Sequence, residues 1–314
     1  MLRYYSLLLS LIAVPKRRKN VKPIDKKGKK MKISVPIYEY RRIYPLEQLP
    51  EKMRAHNLTS VDYADLYNVY SELYALDEEK FKEILTYERD VLKKGGITVE
   101  QIHGPWRYPP KDDDSDEREK WLEAMKKGIR GAAYLGATRM VVHPLMPYGL
   151  DSTSHEEEVL RINAEHFTKL CEYAEDYPVT ICLENMPYPL FAISSVKQVL
   201  DFVKKVNKKN LKVCLDTGHA NVLGTTPGEA VRLLGSYLEA MHVHDNNGKT
   251  DQHLHIGEGL IDWRDFSKAL REIGFTGAVS AEPNMRGDYT QEQLTERQAI
   301  LADNLKKIAE NNWD

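Results

Sequence analysis

Residues 213–219 read Val213-Cys214-Leu215-Asp216-Thr217-Gly218-His219, a short apolar run that ends on a carboxylate, a turn and an imidazole. The same grammar recurs on both sides. Upstream lie Ile-His103-Gly-Pro-Trp106, Val-Val-His143-Pro and Ile-Cys-Leu-Glu184-Asn. Downstream lie Met-His242-Val-His244-Asp245 and Val-Ser-Ala-Glu282-Pro. Between most of these runs the apolar residues recur at helical spacing. A repeating strand–helix unit that offers His, Asp or Glu at each strand's carboxyl end is the sequence form of a (β/α)8 TIM barrel, whose rim carries the chemistry. An α/β chain with a single barrel domain is expected.

Eight windows have strand character: about 32–38, 60–65, 97–103, 139–145, 179–185, 211–217, 239–245 and 277–283. Most are short and apolar, as strands buried on both faces should be. The second is the faintest. Start and stop signals frame the helices. Ser154-x-x-Glu157 and Thr226-Pro-Gly-Glu229 read as capping boxes, the latter with Pro at the first helical position. Asp262 is expected to cap a helix carrying Phe266, Ala269, Leu270 and Ile273, with Gly274 ending it. Val196, Val199, Leu200, Val203 and Val206 share one helical face. The acidic run Lys111-Asp-Asp-Asp114-Ser-Asp-Glu117 reads as a solvated loop plus the first turn of a helix. Strand–helix alternation prescribes a parallel sheet with right-handed crossovers. No G-x-G-x-x-G follows the first strands, and the polar strand ends favour a closed barrel over an open sheet.

The 314 residues, 42% of them hydrophobic, suffice for one substantial core. A formal charge of −2 argues against a strongly basic nucleic-acid binder. Cys171, Cys182 and Cys214 make neither a C-x-x-C pair nor a disulfide framework, which fits a reducing cytoplasm. Residues 1–30 stand apart from the barrel expected over 31–314. Tyr4 to Val14 is apolar but too short to span a bilayer, and lysine clusters follow it. A signal peptide would place its charges first. The segment reads as a disordered basic extension or an upstream mis-start, with a weak membrane tether as the other reading.

Divalent metals take deprotonated carboxylates and neutral imidazoles converging from several directions. A barrel supplies that convergence one strand at a time. Glu184, Asp216, His242 and Glu282, on strands five to eight, would form a contiguous arc. Without a cation or a proton, three buried carboxylates there would repel one another. His103 and His143 end strands three and four, and His219 sits three residues past Asp216. Asp251-Gln-His253-Leu-His255 follows strand seven. These segments hold seven of the ten histidines, too concentrated for random surface placement. His244 shares parity with His242, so either could be the ligand; His242 is preferred. Cys182 and Cys214 share parity with Glu184 and Asp216 and are expected to pack inside the barrel.

The segments Glu184-Asn-Met-Pro, Leu-Asp216-Thr-Gly-His219-Ala-Asn, Met-His242-Val-His244-Asp245-Asn, Asp251-Gln-His253-Leu, Gly257-Glu-Gly-Leu-Ile-Asp-Trp263 and Ala-Glu282-Pro resemble the xylose-isomerase-like barrel superfamily. That superfamily includes sugar isomerases and epimerases and the endonuclease IV repair nucleases, and the resemblance covers roughly residues 31–311. Likeness to the single-metal isomerases and epimerases implies metal ligands Glu184, Asp216, His242 and Glu282, with His219 contacting substrate. Likeness to endonuclease IV implies further zinc ligands at His103, His143, His219, Asp251 and His253. The Gly-Glu-Gly-Leu-Ile-Asp-Trp ending looks like the sugar branch, and the acidic loop from Trp106 to Glu119 is a poor surface for phosphates.

The expected activity is therefore a metal-dependent sugar or sugar phosphate isomerase or ketose 3-epimerase that removes a proton beside a carbonyl. Glu184 and Glu282 would be the proton-transfer pair across an enediolate. His219, His103, His143 and Trp106 would bind substrate, with Tyr108 and Trp263 as further stacking candidates. Mn or Zn is the expected metal, with Mg or Co also open. The partner is a small sugar, with no nucleic acid or membrane, and a homodimer is possible. Alternatives are a zinc phosphodiesterase on abasic DNA, a metal-dependent lyase or dehydratase on a keto-sugar, and a non-enzymatic sugar-binding barrel.

Overall fold

The computed structural model describes residues 30–313 except 109, 111, 285, 286 and 288. The extension expected over 1–30 lies outside the described residues save for Lys30. The strands are β1 (Lys32–Pro36), β2 (Ser60–Tyr63), β3 (Thr98–His103) and β4 (Arg139–Val142), then β5 (Thr180–Glu184), β6 (Leu211–Asp216), β7 (Leu238–His242) and β8 (Ala278–Ser280). Each falls in its expected window to within a residue. All neighbouring pairs are parallel, in the order β7-β6-β5-β4-β3-β2-β1-β8. A parallel bridge between Val243 and Ala281 joins the two ends, with Val243 N–H donating to Ser280 O at 2.8 Å. The sheet is a barrel.

Period-2 alternation divides the strand residues between two environments. Met140, Val142, Ile181, Leu183, Val213, Leu215 and Met241 pack outward into the main core, with Phe167, Leu170, Val199 and Val203 of the surrounding helices. Val141, Cys182, Cys214 and Ala240 form a separate buried cluster on the inner face of β4–β7. Both thiols therefore pack inside the barrel, and burial pushes Cys182 above the ordinary thiol range. The inner face of β8, β1, β2 and β3 is polar instead. Ser280, Ser34 and Ser60 lie in register there, and Asp62 and Gln101 follow them, all buried.

The helix starts follow local chemistry. Thr226 and Glu229 form the expected capping box, and Asp262 caps helix Trp263–Glu272 by accepting from Asp265 N–H. Asp114 caps helix Ser115–Leu135, as the acidic run implied. The box expected at Ser154 does not form. Helix Glu156–Ala174 begins after His155, which makes no side-chain cap and stacks on Tyr148 at 3.9 Å between centroids. Asp151 turns the preceding loop by accepting from Thr153 N–H and Oγ1, which carries Ser154 away from a capping position. Among the described residues no helix is long and apolar enough to cross a membrane.

Candidate active site and metal centre

Every expected site residue lies at or just beyond the carboxyl end of a strand, and they converge. Glu184 ends β5, Asp216 ends β6 and His242 ends β7, while Glu282 follows β8. One donor atom from each of the four lies within 4.8 Å of the others. Glu184, Asp216 and His242 are buried, and Glu282 is partly open. His242 Nδ1 stands 3.0 Å from Glu184 Oε1 and 3.2 Å from Glu282 Oε2. Oxygen-rich, carboxylate-dominated donor sets with one imidazole suit a hard or borderline divalent cation, so these residues fit a metal.

Electrostatics points the same way. Burial alone would push the Glu184 carboxyl up, yet His242 and His143 together hold it well below the usual carboxylate range. Burial would push His242 down, but Glu282 and Glu184 hold it well above the ordinary imidazole range. The buried carboxylates thus favour positive charge beside them, which a bound cation would supply.

Histidine orientation is set by the backbone. His103 donates Nδ1–H to Gly104 O at 2.7 Å, His219 to Asn185 O at 2.7 Å, and His253 to Glu282 O at 2.8 Å. A carbonyl can only accept, so Nδ1 holds the proton and Nε2 faces the cavity. His143 Nε2 lies 3.1 Å from Glu184 Oε2, and His103 Nε2 lies 3.9 Å from the same oxygen. His103, Glu184 and His242 form a second candidate ligand group.

A third group sits beside the arc: His219, His244, Asp251 and His253. Asp251 Oδ2 is 3.2 Å from both His219 Nε2 and His253 Nε2. Against the opposing effect of burial, Asp216 and Asp251 raise His219 to about 10, and Asp251 and Glu282 raise His253 to about 9. His244 stacks on His253 at 3.8 Å and reaches Asp216 Oδ2 with Nε2 at 3.0 Å. The other Asp216 oxygen caps helix Thr217–Val222 by accepting His219 N–H at 2.7 Å. Asp216 thereby links the arc to the third group.

A cavity of about 940 Å³ opens over these residues. Glu184, Glu282, His219 and His253 line it, together with Trp106 and Tyr108 from the loop after β3. Trp263 does not. It is 2% exposed and its indole Nε1 donates to Asp245, so it is a core residue and not a sugar-stacking face. Tyr188 and Met186 also line the cavity and went unremarked in the sequence, although the Glu184-Asn-Met-Pro segment leads straight to them.

Comparison with known proteins agrees with this architecture. The family described as xylose isomerase-like TIM barrel matches residues 50–308. An uncharacterized protein of Methanocaldococcus jannaschii is 34% identical over 215 residues, 67% of this chain and 72% of that one. A D-psicose 3-epimerase of Ruminiclostridium cellulolyticum is 35% identical over 199 residues, 61% of this chain and 65% of that one, just under two thirds of its length. Among solved structures, a D-tagatose 3-epimerase-like protein superposes with a TM-score of 0.67 at 27% identity, covering 90% of this chain and 100% of its own. The chain belongs to the xylose isomerase-like TIM barrel family.

Proposed function

We propose that the chain is a metal-dependent isomerase or epimerase of a sugar or sugar phosphate, working by proton transfer beside a carbonyl. One observation carries the reading: Glu184 and Glu282 flank a single point, 3.0 and 3.2 Å from His242 Nδ1, and both line the open cavity. The likeness to D-psicose 3-epimerases supports it.

Glu184, Asp216, His242 and Glu282 would hold the cation, with Mn or Zn favoured. When bound, it supplies Lewis acidity to the substrate's carbonyl oxygen. Glu184, held ionised by His242 and His143, arrives in the form that accepts a proton. It would remove the proton from the carbon next to the carbonyl, leaving an enediolate, and Glu282 would return one from the other side. Return to the same carbon inverts it; return to the adjacent carbon moves the carbonyl. His219 and His103 present Nε2 to substrate oxygens, and Trp106 offers an aromatic face at the cavity wall.

A second reading is a zinc phosphodiesterase acting on abasic DNA, favoured by the third ligand group at His219, His244, Asp251 and His253. The adjoining loop opposes it. Arg107 is engaged by Asp112 and Glu117 and lies 4.3 Å over Trp121, so its charge is already matched. The two readings separate when metal-loaded protein meets a panel of ketoses in D2O and, in parallel, abasic-site duplex DNA. Deuterium uptake and a new epimer or aldose are expected. Strand cleavage without deuterium uptake by any sugar would overturn the proposal.

A further inference from the structure

The polar inner face of β8, β1, β2 and β3 needs a reason, because barrel interiors are ordinarily filled by branched apolar side chains. At its centre is Asp62, 2% exposed. The ladder between β2 and β3 shifts register between Val61 and Asp62, so Asp62 pairs with Gln101. Gln101 Nε2 donates to Asp62 Oδ2 at 2.7 Å and also reaches Met241 O at 3.3 Å. Those two acceptors fix the amide with its donors toward the carboxylate. Ser280 Oγ stands 3.5 Å from the same oxygen.

The third neighbour is His242. Its Nδ1 faces Glu184 and Glu282, and its Nε2 faces Asp62, with Oδ2 at 3.4 Å. Among the described residues neither His242 Nε2 nor Asp62 Oδ1 has a hydrogen-bond partner, although both are buried. Buried polar atoms ordinarily carry a partner, and the Asp62 carboxylate is the acceptor that faces Nε2. His103, His219 and His253 take their orientation from backbone carbonyls. Among the described residues no carbonyl holds the His242 ring.

We infer that Asp62 is the positioning residue of the metal centre: it accepts His242 Nε2–H, which leaves Nδ1 as the lone-pair nitrogen aimed at the cation. The inference rests on the metal arc proposed above. Carboxylate–histidine–metal arrangements of this kind fix ring orientation and make the ligand nitrogen more electron-rich, and their loss costs about 10–100-fold in metal affinity. The polar floor follows from the same need, since Gln101 and Ser280 stand against a carboxylate that is buried inside the barrel.

Asp62→Asn keeps size and shape and can still accept through its carbonyl oxygen, but loses the charge. Divalent-metal dissociation constants, measured by chelator competition with Mn and Zn, should rise about 10–100-fold, while the metal-free variant still melts cooperatively. Histidine-labelled wild-type protein supplies a readout that needs no variant. With Zn bound, 15N NMR should show His242 protonated on Nε2 and metallated on Nδ1. Unchanged affinity in Asp62→Asn, or a metallated Nε2, would overturn the role of Asp62 alone. Failure of the wild type to bind any divalent ion would overturn the arc and this inference together.

Discussion

Trp263 donates its indole Nε1–H to Asp245 Oδ2 at 2.8 Å, and both side chains are buried. Asp245 also accepts from the backbone N–H groups of Asn246, Gly257 and Ile261, so its two oxygens gather four donors from the loop after β7. That loop carries Asp251 and His253 into the cavity. The Gly257-Glu-Gly259-Leu-Ile-Asp-Trp263 segment is thereby explained by packing: a Cβ at Gly259 would lie 2.2 Å from Asp245 Oδ1. Asp245→Asn turns an amide donor toward other donors. It should lower stability by about 1–3 kcal/mol and speed hydrogen exchange across residues 247–262. Trp263→Phe should lose less, since three of the four donors remain.

Gly218 is packed against His244, and a Cβ there would sit 2.0 Å from the ring's Cε1. The ring cannot yield without leaving Asp216 Oδ2 and its stack on His253. Gly218→Ala should cost about 1–3 kcal/mol of stability by overpacking in a denaturant titration. It should also disturb the third ligand group more than the arc.

Two histidines that do not line the cavity set an acid limit. His166 and His255 are buried, and burial lowers each to about 4. The unfolded chain, with imidazoles near 6.5, binds more protons than the folded one between those values. Their neutral burial is therefore harmless above about 6.5, and stability falls as pH drops from there toward 4, at up to about 1.4 kcal/mol per pH unit for each ring. Urea titrations from pH 7 to pH 4 should show this slope, and His166→Gln with His255→Gln should flatten it. An unchanged slope would assign acid sensitivity to the cavity residues instead.

Glu184→Gln keeps the side chain's shape and removes its capacity to take a proton. Exchange of the substrate α-proton with solvent should fall by at least about 100-fold, read by deuterium incorporation. Exchange at the wild-type rate would refute the role of Glu184.

The barrel was legible because strands buried on both faces are short apolar runs, and because the site side chains sit where those runs end. β2 was the faintest of them for a reason now visible: Ser60 and Asp62 interrupt its apolar character to furnish the polar floor. Alternation could place His242 and His244 on the same side but could not set their depth. The structure puts His242 against Glu184 and Glu282, and His244 against Asp216 and His253. Asp62 carried no positional signal, since its partner lies on β7, 180 residues further along the chain.

Anomalous diffraction from crystals grown with Mn or Zn, combined with elemental analysis, tests the account at its centre. One ion per chain is predicted, contacting Glu184, Asp216, His242 Nδ1 and Glu282. An ion seated only among His219, His244, Asp251 and His253, or none at all, would contradict it.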